Sequence, residues 1–322
     1  MNKETAKTFI KIVGRILMIL SVIFVIIKIS RLGFDPSVVD DIPAYIGMCF
    51  LALALNVIST VVLALAWGRW ISFFSASKVN RMNVITIYGR SSIGKYLPGN
   101  VMHYVERNLF AAEYGLSQKK IAVSSVMEIG IQVLAAVVIS LILLPESYVR
   151  KIFVALNGGY RSIIILIFVA GLICLAAVAL VLLHKVRVKE ILRGYKLSAF
   201  FLTVVISIML ISASLLLNAF GITLVWTGLN ASIYDPESLR LVISSYTAAW
   251  VCGFVIPGAP GGIGVREAIL TLLLEEIVAG PILVFVIITH RLITIIGDFT
   301  VYAIVSLWHA VSNMNNRLSN EE

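Results

Sequence analysis

Several ionisable side chains stand where this chain is otherwise apolar. Arg107, Glu128, Arg266, Glu267, Arg291 and Asp298 lie in or beside hydrophobic stretches, and Lys95 lies just before one. Two of the arginines follow broken hydrophobic segments, GKYLPGNVMHYVER (94–107) and GFVIPGAPGGIGVR (253–266). Proline and glycine cannot continue a stable helix. A helix restarting after such a break presents unpaired N–H groups and the positive end of its dipole, which suits an anion. Asn100 can cap the restart after Pro98-Gly99. Gly258, Gly261 and Gly262 let an anion come close to the backbone. Arg266 falls in the first turn after its break, and Arg107 two turns after the other. The chemistry these residues suit is capture of an anionic group such as a phosphate. The carboxylates would meet cationic parts of the ligand, pair with the arginines, or carry protons.

A plainer reading stands beside each of these. Small residues also let membrane helices pack closely. Arg291 and Asp298, seven residues apart on one helical face, can simply neutralise each other. Glu267 and Arg107 are a second candidate pair. Lys95 and Arg90 can be ordinary loop charges. His103 and His290 are too isolated to form a proton relay. Cys49, Cys174 and Cys252 all lie in hydrophobic segments and match no metal or redox spacing. No catalytic signature, metal site or cofactor motif is present.

The elements that must position these groups follow from composition. Of the 322 residues, 60% are hydrophobic and 13% charged, too apolar for a soluble domain of this size. The net charge of +9 therefore reads as cytoplasmic loop charge on a membrane protein, not as a nucleic-acid surface. Membrane helices are expected near 13–29, 44–68, 121–144, 160–183, 199–227 and 281–309. Two regions, 82–118 and 241–277, do not fit as simple spans. The basic N-terminus precedes an apolar stretch without a small-residue cleavage pattern, so it is expected to remain as the first helix. Residues 69–81 and 184–196 are basic, while 28–43 and 228–240 are acidic. Loop charge thus predicts cytoplasmic N- and C-termini, with Arg150 and Lys151 the poorest fit. Asn230-Ala231-Ser232 matches a glycosylation sequon.

The two irregular regions are related. Gly94, Pro98, Gly99 and Arg107 each recur 159 residues later as Gly253, Pro257, Gly258 and Arg266. The same shift carries helix 44–68 onto the fifth span and 121–144 onto the last. The expected fold is an all-α polytopic membrane protein. It has about six full transmembrane helices plus two re-entrant helical hairpins, arranged as an inverted-topology repeat. The whole chain, 1–322, forms one transmembrane domain, with repeats of about 10–155 and 160–312. Helix 241–256 would be a re-entrant arm of roughly 24 Å. A rival topology makes the uncharged stretch 241–265 one complete span.

At these motifs the chain resembles the flippase-like transmembrane domain of lysylphosphatidylglycerol synthases. The resemblance rests on GKYLPGN with Arg107, Glu128 on the next helix, PGGIGVREA with Glu267, and Arg291 on the last helix. It covers nearly the whole chain. It implies a polytopic prokaryotic membrane domain that moves lipids between leaflets, with Arg107, Glu128, Gly261, Gly262, Glu267 and Arg291 as the shared positions. The chain reaches Glu322 soon after the last helix, so a stand-alone member is expected, one that does not synthesise lysylphosphatidylglycerol. Relatives of that kind are associated with envelope lipids, including polyprenyl-linked glycans.

The reading that emerges is a lipid flippase or scramblase in the cytoplasmic membrane. It would carry an anionic phospholipid or a polyprenyl-phosphate-linked lipid past a midplane site, with Lys95 and Asp298 part of that site. It would need membrane lipids as partners, no nucleic acid and no cofactor. A homo-oligomer or a complex with an envelope-biosynthesis partner fits the same sequence. The alternatives are an integral-membrane transferase acting on a lipid-linked substrate, and a non-transporting subunit of an envelope-lipid complex.

Overall fold

The computed structural model describes residues 39–75, 78–96, 102–148, 150, 195–229, 235–256, 260–275, 277–278 and 280–321. The expected spans 13–29 and 160–183 lie outside these residues. So do Pro98, Asn100, Pro257, Gly258, Cys174 and the sequon at Asn230.

Among the described residues the chain is helical, without strands. The helices are α1 (Ile42–Ser75), α2 (Arg81–Ser91), α3 (Met102–Ala112), α4 (Gln118–Leu143), α5 (Leu197–Thr227), α6 (Pro236–Val255), α7 (Val265–Leu274) and α8 (Gly280–Glu321). Short 3₁₀ turns cover Ser92–Tyr96, after α2, and Pro260–Gly262, before α7. Five helices, α1, α4, α5, α6 and α8, are long and apolar enough to cross a membrane. The outward faces of α1, α5 and α8 carry exposed Phe50, Phe201, Met209, Ile296 and Leu307. Such faces suit lipid and would be a liability in water.

The expected spans 44–68, 199–227 and 281–309 fall within observed helices, and 121–144 does so but for its last residue. The helices mostly run longer because hydropathy stops at the first charge while the hydrogen-bond ladder does not. The difference is largest at the end of α8, which continues from 309 to Glu321; α6 begins at Pro236 and not at 241. Asp235 caps it, accepting from the Ser238 N–H at 2.8 Å. Proline at the first helical position costs no hydrogen bond. The same bond holds the Asp235 carboxyl below its usual titration range. The continuous span 241–265 does not form. Helix α6 stops at Val255, and the chain passes through left-handed backbone at Gly261 and Gly262 before α7 begins.

Helix α7 turns back against α6 at two glycines. A Cβ on Gly253 would lie 2.5 Å from the Arg266 side chain, and one on Gly262 3.1 Å from Gly253 Cα. Helix α3 returns on the first 3₁₀ turn in the same manner, because a Cβ on Gly94 would lie 2.8 Å from the His103 backbone. Each helix–break–helix unit is thus closed where the chain has no side chain to hold it apart.

Helices α1 and α5 pack closely at a polar crossing. Ser59 and Ser214 share a hydrogen bond at 2.6 Å, Asn56 donates to Asn218 at 2.9 Å, and Asn218 donates to Ser59. Helix α8 reaches the same place, where Gly297 leaves room for the Asn56 carboxamide. Small residues and side-chain hydrogen bonds of this kind join helices where no hydrophobic force acts between them. Ser59→Ala and Asn218→Ala are each expected to lower stability. A double-mutant cycle should give a coupling of about 0.5–2 kcal/mol, read from reversible unfolding in mixed micelles.

Candidate functional site

Around the polar crossing the helices enclose a cavity of about 130 Å³, to which each of α1 to α8 contributes at least one residue. Lys95, Arg107, Gly261, Arg266, Arg291 and Asp298 line it. These come from both broken regions and from the last helix, so residues far apart in sequence meet at one place. Glu128 and Glu267 stand behind the wall, each holding an arginine. Gly262 backs the wall against Gly253 and Arg266.

The first cluster is built by α2, α3 and α4. Arg107 donates to Glu128 Oε2 at 2.5 Å, and the Tyr88 hydroxyl donates to Glu128 Oε1 at 2.7 Å. The guanidinium also lies over Tyr88 at 4.0 Å, and over Trp67 and Tyr104 at 5.2 Å each. Arg107 and Glu128 are almost wholly buried. Charge, hydrogen bonding and ring faces all compensate this arginine, so it is locked in place.

The second cluster joins the two broken regions to α8. Asp298 Oδ2 accepts from Lys95 Nζ and from the Tyr96 hydroxyl, both at 2.5 Å. Arg291 Nη2 donates to the Gly261 carbonyl at 2.6 Å, while its Nε lies 3.3 Å from Glu267 Oε1. Glu267 Oε2 accepts from the Gly264 N–H at 2.6 Å. Gly264 has no side chain, so only the glutamate half of a capping box exists here.

These contacts correct two expectations. Arg291 and Asp298 do not neutralise each other; each bonds to the chain folded in from a broken region. Glu267 does not pair with Arg107, because Arg107 takes Glu128 on the following helix and Glu267 takes Arg291. At the start of α7, Glu267 takes the Gly264 N–H. Gly261 and Gly262 owe their identity to left-handed backbone (φ 58° and 75°) and close packing. A Cβ on Gly261 would crowd both Arg291 and Tyr96.

Arg266 differs from the other cations. Among the described residues no carboxylate lies within 4.0 Å of it, whereas Arg107 and Arg291 each have one; the buried Nε of all three arginines lacks a hydrogen-bond partner. The Arg266 guanidinium lies 5.7 Å from the Trp250 ring centroid. Buried acceptors are also unmet at Asn56 Oδ1 and Asp298 Oδ1. Unpartnered buried groups are costly and concentrate where a ligand or water completes them.

Residues that motif reasoning passed over complete the site. Tyr88, Tyr96, Tyr104 and Trp250 supply hydroxyls and ring faces, and Asn56 and Asn218 supply amides. The asparagines carried a signal, being amides inside stretches otherwise fit to span a bilayer. The aromatics carried none, since apolar helices are full of them. Compared with protein-family models, characterised proteins and solved structures, the chain matches none.

The pairing pattern separates the arginines by their effect on folding. Glu128→Gln leaves a buried guanidinium uncompensated and should lower stability by about 3–5 kcal/mol. The double change Arg107→Met with Glu128→Leu should restore most of it. Arg266→Gln should cost less than about 1 kcal/mol, because it breaks no ion pair. Unfolding in detergent, followed by circular dichroism, checks all three.

Proposed function

We propose that this chain moves an anionic lipid between leaflets, its head group passing through the polar cavity while the tails stay in the bilayer. The observation that carries the reading is Arg266. It is a positive charge without a carboxylate partner among the described residues, on the wall of a polar cavity, inside a chain otherwise built to face hydrocarbon. An intramembrane charge is expensive and functional by default, and a phosphate head group supplies the missing partner. The cavity groups replace the hydration that such a head group loses on leaving water.

We read the two helix–break–helix units as re-entrant hairpins of an inverted-topology repeat, within one transmembrane domain. Three features support this. The order long helix, broken unit, long helix occurs twice. Ser59 and Asn218, 159 residues apart, are equivalent under the repeat and bond each other, as positions beside a pseudo-two-fold axis should. Gly94 meets His103, and Gly253 meets Gly262, at equivalent positions of the two halves.

The resemblance to the flippase-like domain of lysylphosphatidylglycerol synthases supports the same activity. With the loop charges it favours a prokaryotic cytoplasmic membrane and cytoplasmic termini.

Reconstituted into liposomes with tail-labelled phosphatidylglycerol, the protein should make inner-leaflet label accessible faster than empty liposomes do. Arg266→Gln should slow this at least tenfold. Equal rates with and without protein, or no loss in the variant, would overturn the proposal.

A further inference from the structure

The charges of the cavity come in unequal numbers. Among the described residues Lys95, Arg107, Arg266 and Arg291 line it, and three carboxylates answer them one to one. Asp298 takes Lys95, Glu128 takes Arg107, and Glu267 takes Arg291. Arg266 is left over. His103, also on the wall, counts as neutral at pH 7. The adjoining segments 97–101 and 257–259 carry no charged residue in the sequence, and neither do 16–27 or 162–183. Among the described residues the site therefore holds one surplus positive charge.

Its unmet acceptors add a second constraint. Asn56 Oδ1 and Asp298 Oδ1 are buried, line the cavity and accept nothing. Hydroxyls and amide N–H groups donate to them without adding charge.

We infer that the substrate is a phosphodiester lipid with one net negative charge and an uncharged head group that donates hydrogen bonds. This rests on the lipid-translocation reading above and names its substrate class. One anionic phosphodiester balances Arg266 and leaves the three ion pairs intact. A phosphomonoester or diphosphate brings further negative charge with no partner in a poorly solvated site. A zwitterionic head adds an ammonium beside cations, and an aminoacylated one adds it to a site already in positive surplus.

The test uses the reconstituted protein at pH 8 with four tail-labelled lipids: phosphatidylglycerol, phosphatidylcholine, phosphatidic acid and a polyprenyl diphosphate. Phosphatidylglycerol should move at least tenfold faster than each of the others. In Arg266→Gln the surplus is zero, and the preference for phosphatidylglycerol over phosphatidylcholine should fall at least tenfold. In Asp298→Asn the surplus is two, and phosphatidic acid should gain on phosphatidylglycerol. Native mass spectrometry of bound lipids should rank them in the same order without requiring transport. Equal movement of all four would overturn the charge rule while leaving translocation standing. A preference unchanged in Arg266→Gln would do the same. Movement of none by a folded protein would overturn both.

Discussion

A charge inside hydrocarbon must find a partner, and the structure of this protein is organised around that requirement. Three bases on the cavity wall meet three acids, and each meeting ties separate elements together. Arg107 and Glu128 join α3 to α4. Lys95 and Tyr96 hold the first broken region to Asp298 on α8, and Arg291 holds α8 to the second. Removing one member of such a pair strands the other, so the bonds fix the geometry more than they add to stability. The rings around Arg107 serve the same end by giving a buried cation polarisable faces.

Within that frame the glycines have a definite role. Left-handed backbone at Gly261 and Gly262 turns the chain, and the missing side chains at Gly94 and Gly253 let each return helix close on its partner. The breaks thereby bring Lys95, Tyr96 and Arg266 to one cavity. Glu267 takes the Gly264 N–H at the start of α7, and the guanidinium groups add positive character to the cavity wall. The division of labour is clear between the two arginines related by the repeat. Arg107 is caged and compensated; Arg266, its counterpart 159 residues on, is left for something else to complete.

Much of this was legible in the sequence. Hydropathy located the described spans, and the glycines and prolines located the breaks. The rarity of charge in apolar segments singled out Arg107, Arg266, Arg291 and Asp298, which share the cavity with Lys95. Pairing was not legible. Helical periodicity puts Arg291 and Asp298 on one face, yet each takes a partner outside that helix: Tyr96 lies 202 residues from Asp298, and Gly261 lies 30 from Arg291. Helix ends were also misjudged where capping outweighed hydropathy, as at Asp235. The polar crossing of α1 and α5 was overlooked because single asparagines and serines hardly alter the hydropathy of a span.

The central claim is that Arg266 awaits a phosphate. The most direct measurement is a cryo-electron microscopy map of the protein in lipid nanodiscs containing phosphatidylglycerol. The account predicts phosphate density within hydrogen-bond reach of the Arg266 guanidinium, with the Arg107–Glu128 pair intact beside it. A map in which a protein carboxylate engages Arg266, with no lipid in the cavity, would contradict it.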